Sequence, residues 1–202
     1  MARMSADERR ELLVEAAIRV MTRDGVAKAT TRSIVAEADM QLGMFHYCFR
    51  SKQELLEQVI EAITGHSLER AGTLLQQRTT VRDTLRAAMQ MYWDHVLANP
   101  DEHQLTYELT QYALREPGFE GLARKQYEFY LETLVDLLDS SAKELDAEFT
   151  IPTAVLARYL ITIIDGLTLN WIVLRDDKIP EAVLDEAADH IGSLSRPAKR
   201  SA

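Results

Sequence analysis

Apolar residues recur at steps of three and four along nearly the whole chain, and this periodicity restricts it to helices packed on helices. Leu12, Leu13, Ala16, Ala17, Val20 and Met21 make the first stripe. Others follow at Leu85, Met89, Tyr92, Trp93, Val96 and Leu97, and at Tyr127, Tyr130, Leu134 and Leu137. No hairpin dipeptide separates alternating runs, and β-branched clusters are few. The expected fold is all-α with about nine helices.

Punctuation residues divide the stripes. Asp24-Gly25 ends the first helix, because glycine takes the left-handed conformation that closes a C-terminus. Thr30 or Thr31 caps a short second helix that runs out at Ala38-Asp39, and a third begins near Gln41 or Leu42 and reaches Cys48. Ser51-Lys52-Gln53-Glu54 has the form of a capping box and opens a fourth helix, predicted to run towards Arg78. Further helices are expected at about 80–98, 102–115, 119–145, 152–175 and 180–195. The polar tail from Arg196 to Ala202 is expected to fray.

With 202 residues and 47% hydrophobic content, the chain has material for one or two domains with a real core. Its net charge of −9 is unevenly spread. Residues 1–60 carry nine basic and nine acidic side chains, whereas residues 61–202 carry fourteen and twenty-three. Only the N-terminal segment is therefore electrostatically open to phosphate. The single cysteine, Cys48, excludes an intramolecular disulfide, and the N-terminal MARMSADERRELL has no apolar stretch, so the cytoplasm is the expected compartment. The run from Leu160 to Leu174 is interrupted by Asp165, Gly166 and Asn170 and falls short of the roughly 20 residues of a membrane span. It reads as a buried helix, with no membrane association expected.

Catalytic signatures are missing. There is no glycine-rich phosphate loop, nucleophile elbow, His-Glu-x-x-His or Cys-x-x-Cys. His46, His66, His95, His103 and His190 show no metal-ligand spacing. No enzyme activity, metal or cofactor is expected.

Two short helices joined by a tight turn and preceded by a longer amphipathic helix have the form of a helix-turn-helix. Residues 1–52 are read as this DNA-binding domain and residues 53–202 as a helical ligand-binding and dimerisation domain. Residues 9–60 closely resemble the N-terminal domain of the tetracycline-repressor (TetR) family of bacterial regulators. Gly25, Thr30, Arg32, Ile34, Ala38, Gly43, Tyr47, Phe49, Ser51, Lys52 and Leu55-Leu56 stand at the places of the family pattern. The segment from Leu42 to Lys52 is similar to a subset whose regulatory domains resemble the choline and betaine repressors. Asp39 replaces the usual turn glycine, which aspartate's tolerance of positive φ allows, and His46 replaces the usual tyrosine.

The resemblance implies a ligand-responsive transcriptional regulator, a repressor that binds a palindromic operator in double-stranded DNA as a homodimer. A small apolar or amphipathic effector would release it. The alternative is a helical protein-interaction module without DNA binding. Resemblance and physics together nominate Thr31 and Arg32, at the start of helix two, for phosphate. Gln41 is nominated to read an adenine edge, Gly43 to allow close backbone approach, and Leu42 and Met44 to meet thymine methyls. His46, Tyr47 and Lys52 are nominated as phosphate anchors.

Beyond residue 60 the resemblance is one of architecture. The expected effector pocket is lined by Met89, Trp93, Leu109, Tyr112, Tyr130 and Asn170. The last two helices are expected to pair with a partner's through Tyr159, Ile163, Gly166, Leu167 and Trp171, with Val183, Leu184, Ala187 and Ile191. Asp165, within the apolar run, would need a hydrogen-bond partner.

Overall fold

The computed structural model describes residues 4–68 and 80–198, and these form two compact units. One comprises the chain up to His66 with Asp101–Gln126, and the other Ser67–Pro100 with Tyr127–Ala202.

The first unit begins with α1 (Ala6–Asp24), opened by Ser5. Its hydroxyl accepts from the Glu8 amide while the Glu8 carboxylate accepts from the Ser5 amide, so two free helix-end donors are satisfied reciprocally. Leu13, Val14, Ala16, Ala17, Val20 and Met21 form its buried stripe. Gly25 closes it at φ 88°, donating its amide to the Met21 carbonyl at 2.8 Å. Then come α2 (Thr31–Glu37), capped by Thr30, and α3 (Leu42–Cys48). The turn between them passes through Asp39 at φ 53°, the left-handed conformation predicted for that residue. Next is α4 (Lys52–Leu68), where Ser51 Oγ accepts from the Glu54 amide. The predicted continuation of this helix towards Arg78 lies outside the described residues from 69 on.

A boundary at residue 52 does not coincide with the compact unit, because α6 (Pro100–Arg115) and the start of α7 (Glu120–Glu144) belong with the N-terminal helices. Leu105, Leu109, Ala113, Leu122 and Ala123 share one core with Ala17, Val20, Ile34, Phe45 and Leu55. The Glu108 carboxylate also accepts from the Val26 amide at 2.7 Å, just past the end of α1.

The second unit contains α5 (Val81–Ala98), the rest of α7, α8 (Thr153–Leu174) and α9 (Ile179–Ser193). Leu85, Met89, Trp93 and Val96 of α5 pack with Leu156, Leu160 and Trp171 of α8 and Leu184, Ala188 and Ile191 of α9. Arg86 bridges Glu181 at 2.6 Å and Asp185 at 2.8 Å, and Arg82 bridges Asp189 at 2.7 Å, tying α5 to α9 at the surface.

Two short strands depart from the helical expectation. The first, β1 (Ala147–Phe149), pairs antiparallel with β2 (Ser195–Pro197), Glu148 standing opposite Arg196. Their side chains form an ion pair at 2.7 Å. The start of the tail predicted to fray is thus held by a ladder, which three residues per strand are too few to announce in sequence.

Among the described residues, α8 is the one helix long and apolar enough to cross a bilayer. Leu156, Ala157, Leu160, Leu167 and Trp171 are nevertheless buried within its own unit.

Candidate DNA-reading and effector sites

The core side of α3 is fixed by Phe45 and Cys48, with Phe49 following, all at most 5% exposed. Phe45 lies against Phe49 with ring centroids 5.7 Å apart. Burial also pushes the Cys48 thiol above its ordinary pKa, so it is a packed, protonated side chain. Arg10 of α1 donates to the Cys48 carbonyl and to Glu54 at 2.9 Å, and its guanidinium lies over the Phe49 ring at 4.5 Å. This clamp joins α1, the end of α3 and the start of α4. A second set of pairs, Arg19 and Arg23 with Glu37 at 3.1 and 2.9 Å, joins α1 to α2. Hydrogen bonds from Arg23 first, then Arg19, hold the Glu37 carboxyl below its ordinary pKa.

Fixing that side exposes the other. Gln41, Leu42, Gly43, His46 and Tyr47 are exposed, and Tyr47 retains 68% of its surface. Gln41 occupies the N-cap position of α3 yet makes no side-chain capping bond, which leaves its amide for another use. Nothing lies within 4 Å of a Cβ built on Gly43, so that stretch of backbone stands clear of its own protein. Arg32 is exposed and Thr31 half-buried at the start of α2. Met44 is half-buried against the core, so its methyl is less available than sequence implied.

Lys52 differs most from expectation among the nominated DNA contacts. It is half-buried, with Nζ 5.0 Å from the centre of the Tyr112 ring, and burial lowers its pKa against the opposing pull of Glu116. Its ammonium is engaged with α6, where cation and ring attract.

The six residues nominated for an effector pocket divide between the units. Leu109 and Tyr112 belong to the first, and Tyr112 meets Phe119 edge-on at 5.6 Å. Met89 and Trp93 are buried in the core of the second, and Tyr130 there is half-buried. Trp93 packs edge-on against Trp171 at 5.6 Å. Asn170 is exposed and donates to the Gly166 carbonyl one turn back at 2.6 Å, so its polar group is satisfied by its own helix.

Polar groups gather inside the second unit, and of them sequence reasoning nominated Tyr130 alone for the pocket. Tyr127 donates to Asp165 at 2.9 Å, supplying the partner that residue required. Tyr92 lies 3.4 Å from Thr168 by its hydroxyl, and Tyr127 meets Tyr130 edge-on at 5.9 Å. Burial raises the Asp165 pKa, and it raises those of Tyr92 and Tyr127 further, so both phenols stay neutral. The signal available in sequence was the single acid in the most apolar helix.

The residues nominated for pairing also divide. Leu167, Trp171, Leu184, Ala187 and Ile191 are at most 9% exposed within their own unit, which corrects their assignment to a surface. A helix apolar on nearly all sides gives sequence no means of choosing its outward face. Ile163 and Val183 are half-buried, and Tyr159 and Gly166 are exposed. The outward row of α8 is Val155, Tyr159, Thr162, Gly166, Leu169 and Val173, spaced alternately by four and three.

Known proteins match both parts of the chain. A family model described as bacterial regulatory proteins of the tetR family covers residues 13–59, and one described as BetI-type transcriptional repressor, C-terminal, covers residues 81–196. The chain belongs to the TetR family. It is a transcriptional regulator of the repressor type rather than an enzyme. The nicotine-responsive transcriptional repressor HdnoR of Paenarthrobacter nicotinovorans is 29% identical over 187 residues, covering 93% of this chain and 95% of that protein. FadR from Bacillus subtilis, solved with stearoyl-CoA, shares the fold with a TM-score of 0.73 at 14% identity, over 91% of this chain and 97% of that one. A TetR transcription regulator from Haloarcula marismortui does so with a TM-score of 0.74 at 20% identity, over 94% and 100%.

Proposed function

We propose that this TetR-family chain is a cytoplasmic repressor that holds a two-fold symmetric operator as a homodimer and leaves it when a small amphipathic effector binds. The observation that carries the reading is the α3 surface. An uncapped Gln41 amide, a bare Gly43 backbone and exposed Leu42, His46 and Tyr47 stand on a helix locked from behind by Phe45, Phe49 and Arg10. Gln41 reads a base edge, Leu42 meets a thymine methyl, and Thr31, Arg32, His46 and Tyr47 hold phosphates. Lys52 adds positive charge near the backbone while resting on Tyr112.

Dimerisation rests on the outward row of α8. Its alternating four-and-three spacing is that of a helix seam, and Val155 at 53% and Val173 at 70% exposure are costly in water unless a partner covers them. Gly166, with no atom within 4 Å of a built Cβ, admits a partner helix at close range. The effector site is assigned to the second unit, where half-buried aromatic and polar side chains gather. HdnoR is named as nicotine-responsive, and an amphipathic ligand of similar size suits such a lining. The effector acts by binding the DNA-free conformation more tightly than the DNA-bound one.

Fluorescence anisotropy of the purified protein against its own upstream DNA and a scrambled duplex, at two salt concentrations, tests the reading. Tight, sequence-selective and salt-sensitive binding is expected. Equal weak binding to both duplexes leaves a helical interaction module without a DNA target.

A further inference from the structure

The face of α1 that carries Arg9 holds no acid. The helical neighbours of Arg9 three and four positions away are Ser5, Ala6, Leu12 and Leu13. Glu8, adjacent in the chain, commits its carboxylate to the Ser5 amide at 2.6 Å. The other three arginines of α1 are neutralised within the protein. Arg10 pairs with Glu54 at 2.9 Å, and Arg19 and Arg23 pair with Glu37 at 3.1 and 2.9 Å. Among the described residues, Arg9 forms no ion pair and its side chain donates no hydrogen bond.

What Arg9 does touch is Tyr47, with its guanidinium carbon 6.0 Å from the centre of the ring. Tyr47 belongs to the exposed row of α3 and retains 68% of its surface, so the contact holds a cation beside that row. Attraction to a ring uses none of the five N–H donors of a guanidinium. Those donors form a rigid fork that matches two oxygens of a phosphate. The Tyr47 hydroxyl, which likewise makes no hydrogen bond among the described residues, is one more donor for the same group. The Cys48 carbonyl at the end of α3, which would repel an anion, is already covered by Arg10.

Building on the reading of α3 as the helix that faces DNA, we propose that Arg9 of α1 is a DNA contact. Its guanidinium and the Tyr47 hydroxyl grip one backbone phosphate together at each half-site, and the Tyr47 ring holds Arg9 in place. The pair fixes register and reads no base.

Fluorescence anisotropy of the full-length protein, with its own upstream DNA and with a scrambled duplex over a series of salt concentrations, tests the proposal. Arg9→Gln should weaken binding to both duplexes by about tenfold or more. It should also lower the slope of log affinity against log salt by about 0.9 for each half-site held. Arg9→Lys keeps the charge and should keep the slope. Tyr47→Phe keeps the ring and loses the hydroxyl, so it should weaken both duplexes severalfold at the wild-type slope. Lys125→Gln removes a charge already paired with Glu57 at 3.0 Å and should change neither quantity. An unchanged slope in Arg9→Gln would overturn the proposal whatever the loss of affinity, because an arginine that only buttresses Tyr47 displaces no counterion. A loss confined to the upstream DNA would overturn it as well, since that marks a base contact. Wild-type protein that binds both duplexes equally, with a slope lowered by Arg9→Gln, upholds the contact and refutes the operator reading. Selective wild-type binding with a slope indifferent to Arg9→Gln does the reverse. Wild-type protein that binds neither duplex at low salt refutes both.

Discussion

Both α3 and α8 leave one row of side chains uncovered, yet the rows have opposite chemistry. The α3 row, Gln41 to Tyr47, mixes an amide, an imidazole and a phenol with bare backbone and one leucine. The α8 row, Val155 to Val173, carries Tyr159 and Thr162 as its only polar groups and no charge. A surface that reads base edges and phosphates needs donors and acceptors held in fixed positions. A surface that meets its own copy needs apolar area and close approach. The difference teaches that exposure alone does not mark a recognition surface; what is exposed decides for whom.

The comparison breaks most completely if α3 loses its support. Replacing Phe45 with Ala removes a side chain only 2% exposed at the junction of α3 and the core, and should cost roughly 3–5 kcal/mol. Urea denaturation should show the loss, and DNA binding should vanish with it although no DNA-facing atom has changed. Retained affinity would mean that α3 does not need its core to hold its orientation.

The α8 row is broken by charge. Leu169→Asp together with Val173→Asp should give a monomer by sedimentation, and operator affinity should fall by more than about a hundredfold as the advantage of two linked half-sites is lost. Trp171→Ala is the contrasting variant. Trp171 lies in its own unit's core against Trp93, so it should lower thermal stability while the oligomeric state persists. Dissociation by Trp171→Ala alone would restore that residue to the interface.

How far sequence reached depends on the range of the interaction. The first helices were legible because their signals are local: Thr30 and Ser51 cap, Gly25 stops, and Asp39 takes the positive φ of the turn. The exposed row of α3 followed, since Phe45, Cys48 and Phe49 define the opposite side. Grouping α6 with the N-terminal helices was not legible. The stripe of Leu105, Leu109 and Ala113 states that a partner exists but not which one, and the Glu108 bond to Val26 spans 82 positions. For the same reason Leu109 and Tyr112 were placed with Met89 and Trp93, although they lie in different units. The polar cluster was half legible: Asp165 announced a need, while Tyr127, 38 residues away in sequence, met it.

A smaller effect sharpens the reading of α3. Gln41→Ala leaves the helix without a capping loss, because the side chain makes no capping bond, so any change reports on DNA alone. Affinity for the operator should fall by about 1–3 kcal/mol and affinity for scrambled DNA should not change. An equal loss on both duplexes would make Gln41 a backbone contact.

The smallest expected effect carries the contrast into the buried polar cluster, where a group is kept despite its cost. Burial raises the pKa of Asp165 in the folded state above its ordinary 3.8. The folded protein therefore favours the protonated acid, and ionisation destabilises it. That cost is absent below the unfolded-state pKa, sets in as the pH rises through it, and is complete above the higher folded-state pKa. Asp165→Asn removes the titration while leaving an oxygen to accept from Tyr127. Relative to wild type, the variant should melt higher at neutral pH, and the advantage should close as the pH falls towards 3.8. Thermal melts of both proteins across that range decide the matter. A variant that is less stable at neutral pH would show the carboxylate held there by favourable charge, and the cluster would then be a structural joint. A variant that gains stability shows that the ionised carboxylate costs the fold free energy, as its raised pKa implies.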